Sequence, residues 1–201
     1  MFNGKVVAIT GGSSGIGKAV AAKFSNEGAK VAILGRDKEK LEQVRISLQE
    51  SIAVAGDVCK TSDLDLFFQI TKDNLGNIDI LVACAGVASR RHVDEVDKNY
   101  FDEMVNINFK GVYFTVKQAI PYLNNNASIV LISSMACHSG WSSHSVYSAT
   151  KSAVSQLAKN FSADLIQQGI RVNSISPGYT ATEMYLPDFI IQQKKFTESK
   201  A

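Results

Sequence analysis

Short runs of β-branched and apolar residues alternate along the chain with longer segments in which apolar positions recur at helical spacing. The runs Lys5–Thr10, Lys30–Leu34, Ile52–Ala55, Ile78–Ala83, Ser128–Ser133 and Ile170–Ile175 predict strands. Near-continuous apolarity in the first, fourth and fifth predicts burial on both faces, as in a parallel sheet. Between them the helical pattern covers 15–27, 37–49, 62–75, 100–123 and 147–168. Gly28, Gly76 and Gly169 follow three of these segments, where a left-handed C-terminal residue is wanted. Ser62, with Asp65 three residues on, reads as a capping box opening the third helix. Six strands alternating with helices predict an α/β fold with right-handed crossovers, an open, doubly wound parallel sheet with helices on both faces. Ligands of such sheets bind beyond the carboxyl ends of the strands, where the strand order reverses. Chemistry is therefore expected just after strands.

Composition narrows the function classes. The 201 residues suit one domain, 1–201, with one sizeable core. A hydrophobic share of 45% and a charged share of 20% are ordinary for a globular protein. A formal charge of +2 is too small to point to nucleic acid or an acidic membrane. No stretch reaches the length of a membrane span, since the longest candidate, Ile78 to Ala88, is short and broken by Asp79. The N-terminus shows no secretory signal pattern. Cys59, Cys84 and Cys137 are odd in number and far apart, with neither metal-ligand nor disulfide spacing. Free thiols suit a reducing compartment, so a cytoplasmic location is expected and no metal is.

The first strand runs directly into Thr10-Gly11-Gly12-Ser13-Ser14-Gly15-Ile16-Gly17 and then a helical segment. Glycines there allow a tight turn, close approach of backbone to a pyrophosphate, and close packing of helix on sheet. The helix start adds unpaired N–H groups and a positive dipole end. An ordinary glycine-rich turn is the plainer alternative. Further along, Tyr147-Ser148-Ala149-Thr150-Lys151 sets a phenol and an ammonium four residues apart, on one face of a helix. A lysine cation beside a phenol favours the phenolate and tunes it for proton transfer. Ser134, thirteen residues before Tyr147, follows the fifth strand and reaches the same sheet edge. Alone, Tyr-x-x-x-Lys is a weak pattern, better read as a surface tyrosine beside a surface lysine.

Together, Thr-Gly-x-x-x-Gly-x-Gly, the strand-ending serine and Tyr-x-x-x-Lys resemble the short-chain dehydrogenase/reductase family. The resemblance implies a Rossmann-like fold and hydride transfer between a nicotinamide dinucleotide and a carbonyl or alcohol substrate. It implies that Ser134 holds the substrate oxygen, Tyr147 passes the proton, and Lys151 binds the nicotinamide ribose and tunes Tyr147. Asn108, three before Gly111, matches the family asparagine whose helix is distorted to hold a proton-relay water; Asn106 competes for that place. The turn residues Gly11, Ser13, Ser14, Gly15, Ile16 and Gly17 would contact the phosphates. Asp57 and Val58 match the adenine contact, with a simple turn aspartate as the alternative. Ala85 and Gly86 keep the small backbone that cofactor approach requires, and Pro177, Gly178, Thr180 and Thr182 match the stretch holding the nicotinamide amide and a nearby phosphate.

The second strand ends Leu34-Gly35-Arg36-Asp37. The acid that binds a ribose 2′-hydroxyl in NAD-preferring folds is replaced by Gly35, and Arg36 can pair with a 2′-phosphate. NADP(H) is favoured over NAD(H), with Asp37 a mild objection unless it caps the next helix. An NAD(H)-dependent alcohol dehydrogenase and a non-catalytic dinucleotide-binding protein are the competing functions.

Two departures from the family pattern stand out. Ala83-Cys84-Ala85-Gly86 replaces the common Asn-Asn-Ala-Gly, and the chain stops at Ala201, where relatives add a helix and a seventh strand. The expectation is a shortened C-terminus, with a substrate loop from about 182. The substrate wall would come from Met135 to Val146, including His138, Trp141 and His144, and from Met184, Tyr185, Leu186, Phe189, Ile190 and Ile191. These fit an apolar, even lipid-like, alcohol or ketone, or plain packing. The two histidines could act as bases, but Tyr147 already fills that role. Thr150, Val154, Leu157, Phe161 and Leu165 form the core stripe of the helix from Tyr147, opposite small Ala149 and Ser152. The resemblance implies a homodimer or homotetramer built on this helix and the one carrying Asn108.

Overall fold

The structure, a computed structural model, describes residues 2–183, so the apolar tail positions from Met184 to Ile191 lie outside the described residues. Six strands form one sheet in the order β3-β2-β1-β4-β5-β6, every pair parallel. They are β1 (Val6–Thr10), β2 (Lys30–Gly35), β3 (Ser51–Ala55), β4 (Ile78–Ala83), β5 (Leu123–Ile132) and β6 (Arg171–Ile175). The helices are α1 (Gly15–Asn26), α2 (Lys38–Arg45), α3 (Thr61–Leu75), α4 (Lys98–Val105), α5 (Val112–Ala119) and α6 (Ser145–Asp164). This is the expected Rossmann-like, doubly wound architecture. Strand order runs outward from β1 to β3, then returns to β4 beside β1, so the reversal lies between β1 and β4.

Burial explains the continuous apolar runs. All five residues of β1 are buried, and the pleat sends alternate side chains to opposite faces. Val6 and Ala8 join Leu64, Phe67, Phe68, Val116 and Val154 under α3, α5 and α6. Val7 and Ile9 join Ala21, Leu41 and Val44 under α1 and α2. Phe67 and Phe68 are both 0% exposed, each adding about 2–3 kcal/mol of burial. Two filled layers thus hold the carboxyl ends of the strands rigid.

Several boundaries differ from expectation. The helix predicted over 100–123 is α4, a π-helical turn (Asn106–Gly111), α5, and a 3₁₀ turn containing Pro121. β5 begins at Leu123, five residues early, where Leu123 pairs with Ile78 before the register shifts at Ile78/Ile80. Ser133 falls just outside β5. The capping box of Ser62 and Asp65 does not form. Helix α3 starts at Thr61 behind Lys60, and Asp65 instead accepts a hydrogen bond from Gln118. Helix α2 ends at Arg45 rather than 49, and α6 runs from Ser145 to Asp164. Gly28, Gly76 and Gly169 all carry positive φ as expected. Among the described residues, no helix is long and apolar enough to cross a membrane.

Candidate active site

The turn after β1 is built for close approach. Gly11 has φ +70°, and a Cβ there would lie 2.8 Å from the Ala85 backbone; one on Gly17 would lie 2.2 Å from the Gly11 carbonyl oxygen. Thr10 Oγ1 accepts from the Ala85 N–H at 3.3 Å, tying the end of β1 to the segment after β4. Helix α1 starts behind Ser14, whose side chain makes no capping bond, and its first turn holds no acid. The helix start therefore offers open N–H groups and the positive dipole end, unquenched by a carboxylate of its own.

At the end of β2, Arg36 is exposed, while Asp37 is spent as the α2 cap, its carboxylate accepting from the Lys40 N–H at 3.0 Å. After β3, Asp57 accepts from the Cys59 N–H at 2.9 Å and donates its own N–H to Asp63. The Asp57 carboxylate thus takes part in a turn, the plainer of the two readings, while still facing the same cleft. Burial, with the Asp57 charge, pushes the Cys59 thiol up to about 11.

Asn108 sits in the π-turn and is 0% exposed, whereas Asn106 is exposed. Its Oδ1 accepts from the Val87 N–H at 2.8 Å and its Nδ2 donates to the Val87 carbonyl at 2.9 Å. Nδ2 also faces Met104 Sδ and Thr150 Oγ1. The side chain clamps the segment after β4 in the way a neighbouring strand would. A Cβ on Gly86 would lie 3.2 Å from Asn108 Oδ1 and 3.3 Å from Lys151 Nζ, a tight fit that would press on both side chains.

Ser134 caps a 3₁₀ turn, Met135–His138, and its Oγ accepts from the Ala136 N–H at 3.2 Å. That bond uses a lone pair and leaves the hydroxyl proton free for another acceptor. Tyr147 and Lys151 stand one turn apart on α6, 6% and 5% exposed. Lys151 Nζ donates to the Ile132 carbonyl at 2.9 Å and lies 5.9 Å from the centroid of the Tyr147 ring. Burial pushes Lys151 down to about 8, opposed by nearby Cys84, whose own thiol burial raises to about 11. Among the described residues, the Tyr147 hydroxyl has no hydrogen-bond partner. Ser148 Oγ is the one fully enclosed side-chain polar atom there without a partner, so the phenol keeps open surface.

One open cleft of about 250 Å³ crosses the carboxyl ends of the strands at the order reversal. Gly11, Ser13, Ser14, Gly15, Ile16 and Gly17 line one part of it, and Arg36, Asp57 and Val58 another. Ala85, Gly86, Ser134, Tyr147, Lys151, Pro177, Gly178, Thr180 and Thr182 line the rest. Asn108 is not on its surface but directly behind Val87, which is. Pro177 accepts from the Met135 N–H at 3.0 Å, and Thr182 packs over Gly15.

The family model for short chain dehydrogenases matches residues 5–189. The chain belongs to the short-chain dehydrogenase/reductase family. It is 38% identical over 186 residues to an oxidoreductase of Sarocladium schorii, covering 91% of this chain and 75% of that one. A Brucella melitensis short-chain dehydrogenase/reductase described as a glucose/ribitol dehydrogenase superposes with TM-score 0.92 at 28% identity, covering 95% of this chain and 79% of that one. A short chain dehydrogenase of Burkholderia cenocepacia, solved in complex with NADP, gives TM-score 0.88 at 28% identity, covering 91% and 77%. Family membership carries the coarse activity, that of an oxidoreductase built around a dinucleotide.

Sequence reasoning passed over three residues beside the site. Ser133 is 3% exposed, donates to the Lys151 backbone carbonyl at 2.8 Å and accepts from Ser155, so Lys151 is held at both its main chain and its ammonium. The Ser133-Ser134 doublet at the strand end was the available signal. Tyr179 stacks on Trp141, and Glu183 lines the cleft while paired with Lys40, contacts that no local pattern encodes.

Proposed function

We propose that this short-chain dehydrogenase/reductase reduces a carbonyl compound with NADPH, with Ser134, Tyr147 and Lys151 acting on the substrate oxygen. The observation that carries the reading is the meeting, in one cleft, of an uncapped helix start, Arg36 and these three side chains. The residues fit a dinucleotide. The α1 N-terminus and the bare turn of Gly11 to Gly17 suit a pyrophosphate. Gly35 leaves no carboxylate against a 2′-phosphate, Asp37 is committed to its cap, and Glu183 is neutralised by Lys40. Arg36 would then pair with the phosphate. The NADP-bound Burkholderia relative lends the same preference its support. Asp57 and Val58 would face the adenine, and Pro177, Gly178, Thr180 and Thr182 the nicotinamide end.

When bound, the reduced nicotinamide supplies a hydride to the carbonyl carbon. The chain does the rest. Ser134 donates its free hydroxyl proton to the substrate oxygen as negative charge develops there, an effect of about 3–4 kcal/mol for one well-placed donor. Tyr147 transfers its phenolic proton to that oxygen, so that C=O becomes CH–OH. The ammonium of Lys151, anchored on the Ile132 carbonyl, stabilises the charge left on the phenol and has two further protons for a ribose hydroxyl. Asn108, its amide committed to Val87, acts as a positioning residue, and the water-relay role rests on the π-turn backbone around it. Exposed Ala149, Ser152 and Tyr113 on α6 and α5 suit a homodimer or homotetramer, and three free thiols suit the cytoplasm.

Calorimetric titration with NADPH and NADH tests the cofactor assignment. Tighter binding of NADPH, lost on Arg36→Ala with a smaller change for NADH, is expected. Equal effects of the substitution on both dinucleotides contradict the pairing of Arg36 with a phosphate.

A further inference from the structure

Beside the main cleft lies a recess of about 10 Å³, walled by Ser134, Trp141, His144, Tyr147 and Tyr179 among others. It has room for roughly one water-sized group. Trp141 stacks on Tyr179 at 5.5 Å and meets His144 edge to face at 5.6 Å, and His144 meets the Tyr147 ring edge to face at 6.2 Å. These contacts join the loop after β5 to the loop after β6 in one aromatic wall next to the two hydroxyls of the site.

His144 brings an imidazole into that wall. It is 7% exposed, and its Nδ1 lies 2.7 Å from the Ser142 carbonyl oxygen. A carbonyl only accepts, so Nδ1 carries the hydrogen, and in the neutral ring Nε2 is a bare acceptor. Nε2 has no partner among the described residues, yet it is not among the fully enclosed unpartnered atoms, where Ser148 Oγ stands alone. The His144 ring lines the recess together with Ser134 and Tyr147.

We propose that His144 Nε2 accepts a hydrogen bond from a substrate hydroxyl on a carbon adjacent to, or one removed from, the reacting carbonyl, so that the enzyme selects hydroxyketones over plain ketones. The proposal rests on the reductase reading above. The recess itself has room for a hydroxyl and not for an alkyl chain. A desolvated acceptor facing a methyl group stays unpaired, which is the arrangement by which a site rejects an analogue lacking the hydroxyl.

The test compares hydroxyacetone with butanone, in which a methyl replaces the hydroxyl. kcat/KM with NADPH is measured for the wild-type chain, His144→Phe and His144→Gln, alongside calorimetric binding of both compounds to the NADP-loaded chain. The wild type is expected to favour hydroxyacetone by about ten- to a hundred-fold. His144→Phe should collapse that ratio, and His144→Gln, which keeps an acceptor near the Nε2 position, should restore part of it. Turnover of both ketones with the same ratio in the wild type and His144→Phe overturns the proposal and leaves the reductase reading standing. Turnover of neither ketone counts against the reductase reading instead. The binding preference then decides: loss of a hydroxyacetone preference in His144→Phe supports the role of His144, and no preference in the wild type overturns it.

Discussion

Replacing Asn108 with leucine removes the clamp between the π-turn and the segment after β4. The side chain is 0% exposed and engages both the N–H and the carbonyl of Val87, at 2.8 and 2.9 Å. Leucine is close in size, so little cavity is created, and the cost is that of two backbone groups left without partners. Each such group costs about 1–3 kcal/mol when buried. Val87 is only half-buried and water can reach part of it, which places the total near the lower end, about 2–4 kcal/mol. Asn108→Asp keeps the acceptor for the Val87 N–H but sets a carboxylate against the Val87 carbonyl, and should cost at least as much. Guanidinium unfolding of the three chains measures both changes. Calorimetry with NADPH reports the second consequence, weaker binding because Val87 and Gly86 line the cleft. A loss below about 0.5 kcal/mol for Asn108→Leu refutes the clamp, since that is the scatter of ordinary surface substitutions.

Two further outcomes follow from the same contacts. Gly17→Ala would put a Cβ 2.2 Å from the Gly11 carbonyl oxygen, a backbone atom that cannot swing aside, so helix α1 must shift; a stability loss of about 1–3 kcal/mol and weakened NADPH binding are expected, and an unperturbed midpoint contradicts the packing. Stability against pH should rise and then fall above pH 8 in the cofactor-free chain. Lys151 sits at about 8 against its ordinary 10.5, so from pH 8 upward the unfolded state binds more protons there and stability grows. Cys59 and Cys84, at about 11 against 9.0, act in the opposite sense between those values. Unfolding midpoints should therefore climb from about pH 8 to 9 and decline beyond, and a steady fall from pH 8 contradicts the buried ammonium.

The inner strands were legible because burial on both faces makes them near-continuous apolar runs, as in Val6 to Thr10, whereas the edge strands β3 and β6 keep exposed positions. The π-turn was not legible as a boundary. Helical periodicity continues from Tyr100 to Ala119, and the π-turn accompanies the pairing of Asn108 with Val87, twenty-one positions away. The early start of β5 was hidden by Asn124, Asn125 and Asn126, a polar run whose Asn126 takes φ +64°. The glycine turn and Ser134 could be read because each lies just after a strand end, and Tyr147 and Lys151 because their four-residue spacing sets them on one face of a helix. His144 could be placed in the substrate wall, but its pairing with Trp141 and Tyr179 could not. Trp141 meets His144 within its own loop and Tyr179 across loops thirty-eight residues apart, and composition and spacing do not carry the second contact.

Proton donation by Tyr147 is the claim on which the functional account depends most. Tyr147→Phe keeps the ring in its 6%-exposed position and removes only the hydroxyl. NADPH oxidation in the presence of a ketone, measured beside calorimetric NADPH binding, separates catalysis from cofactor affinity. The account predicts a fall in kcat of about 10²–10⁴-fold with a far smaller change in NADPH affinity. Turnover within a few-fold of the wild type would remove Tyr147 from proton transfer and contradict the account.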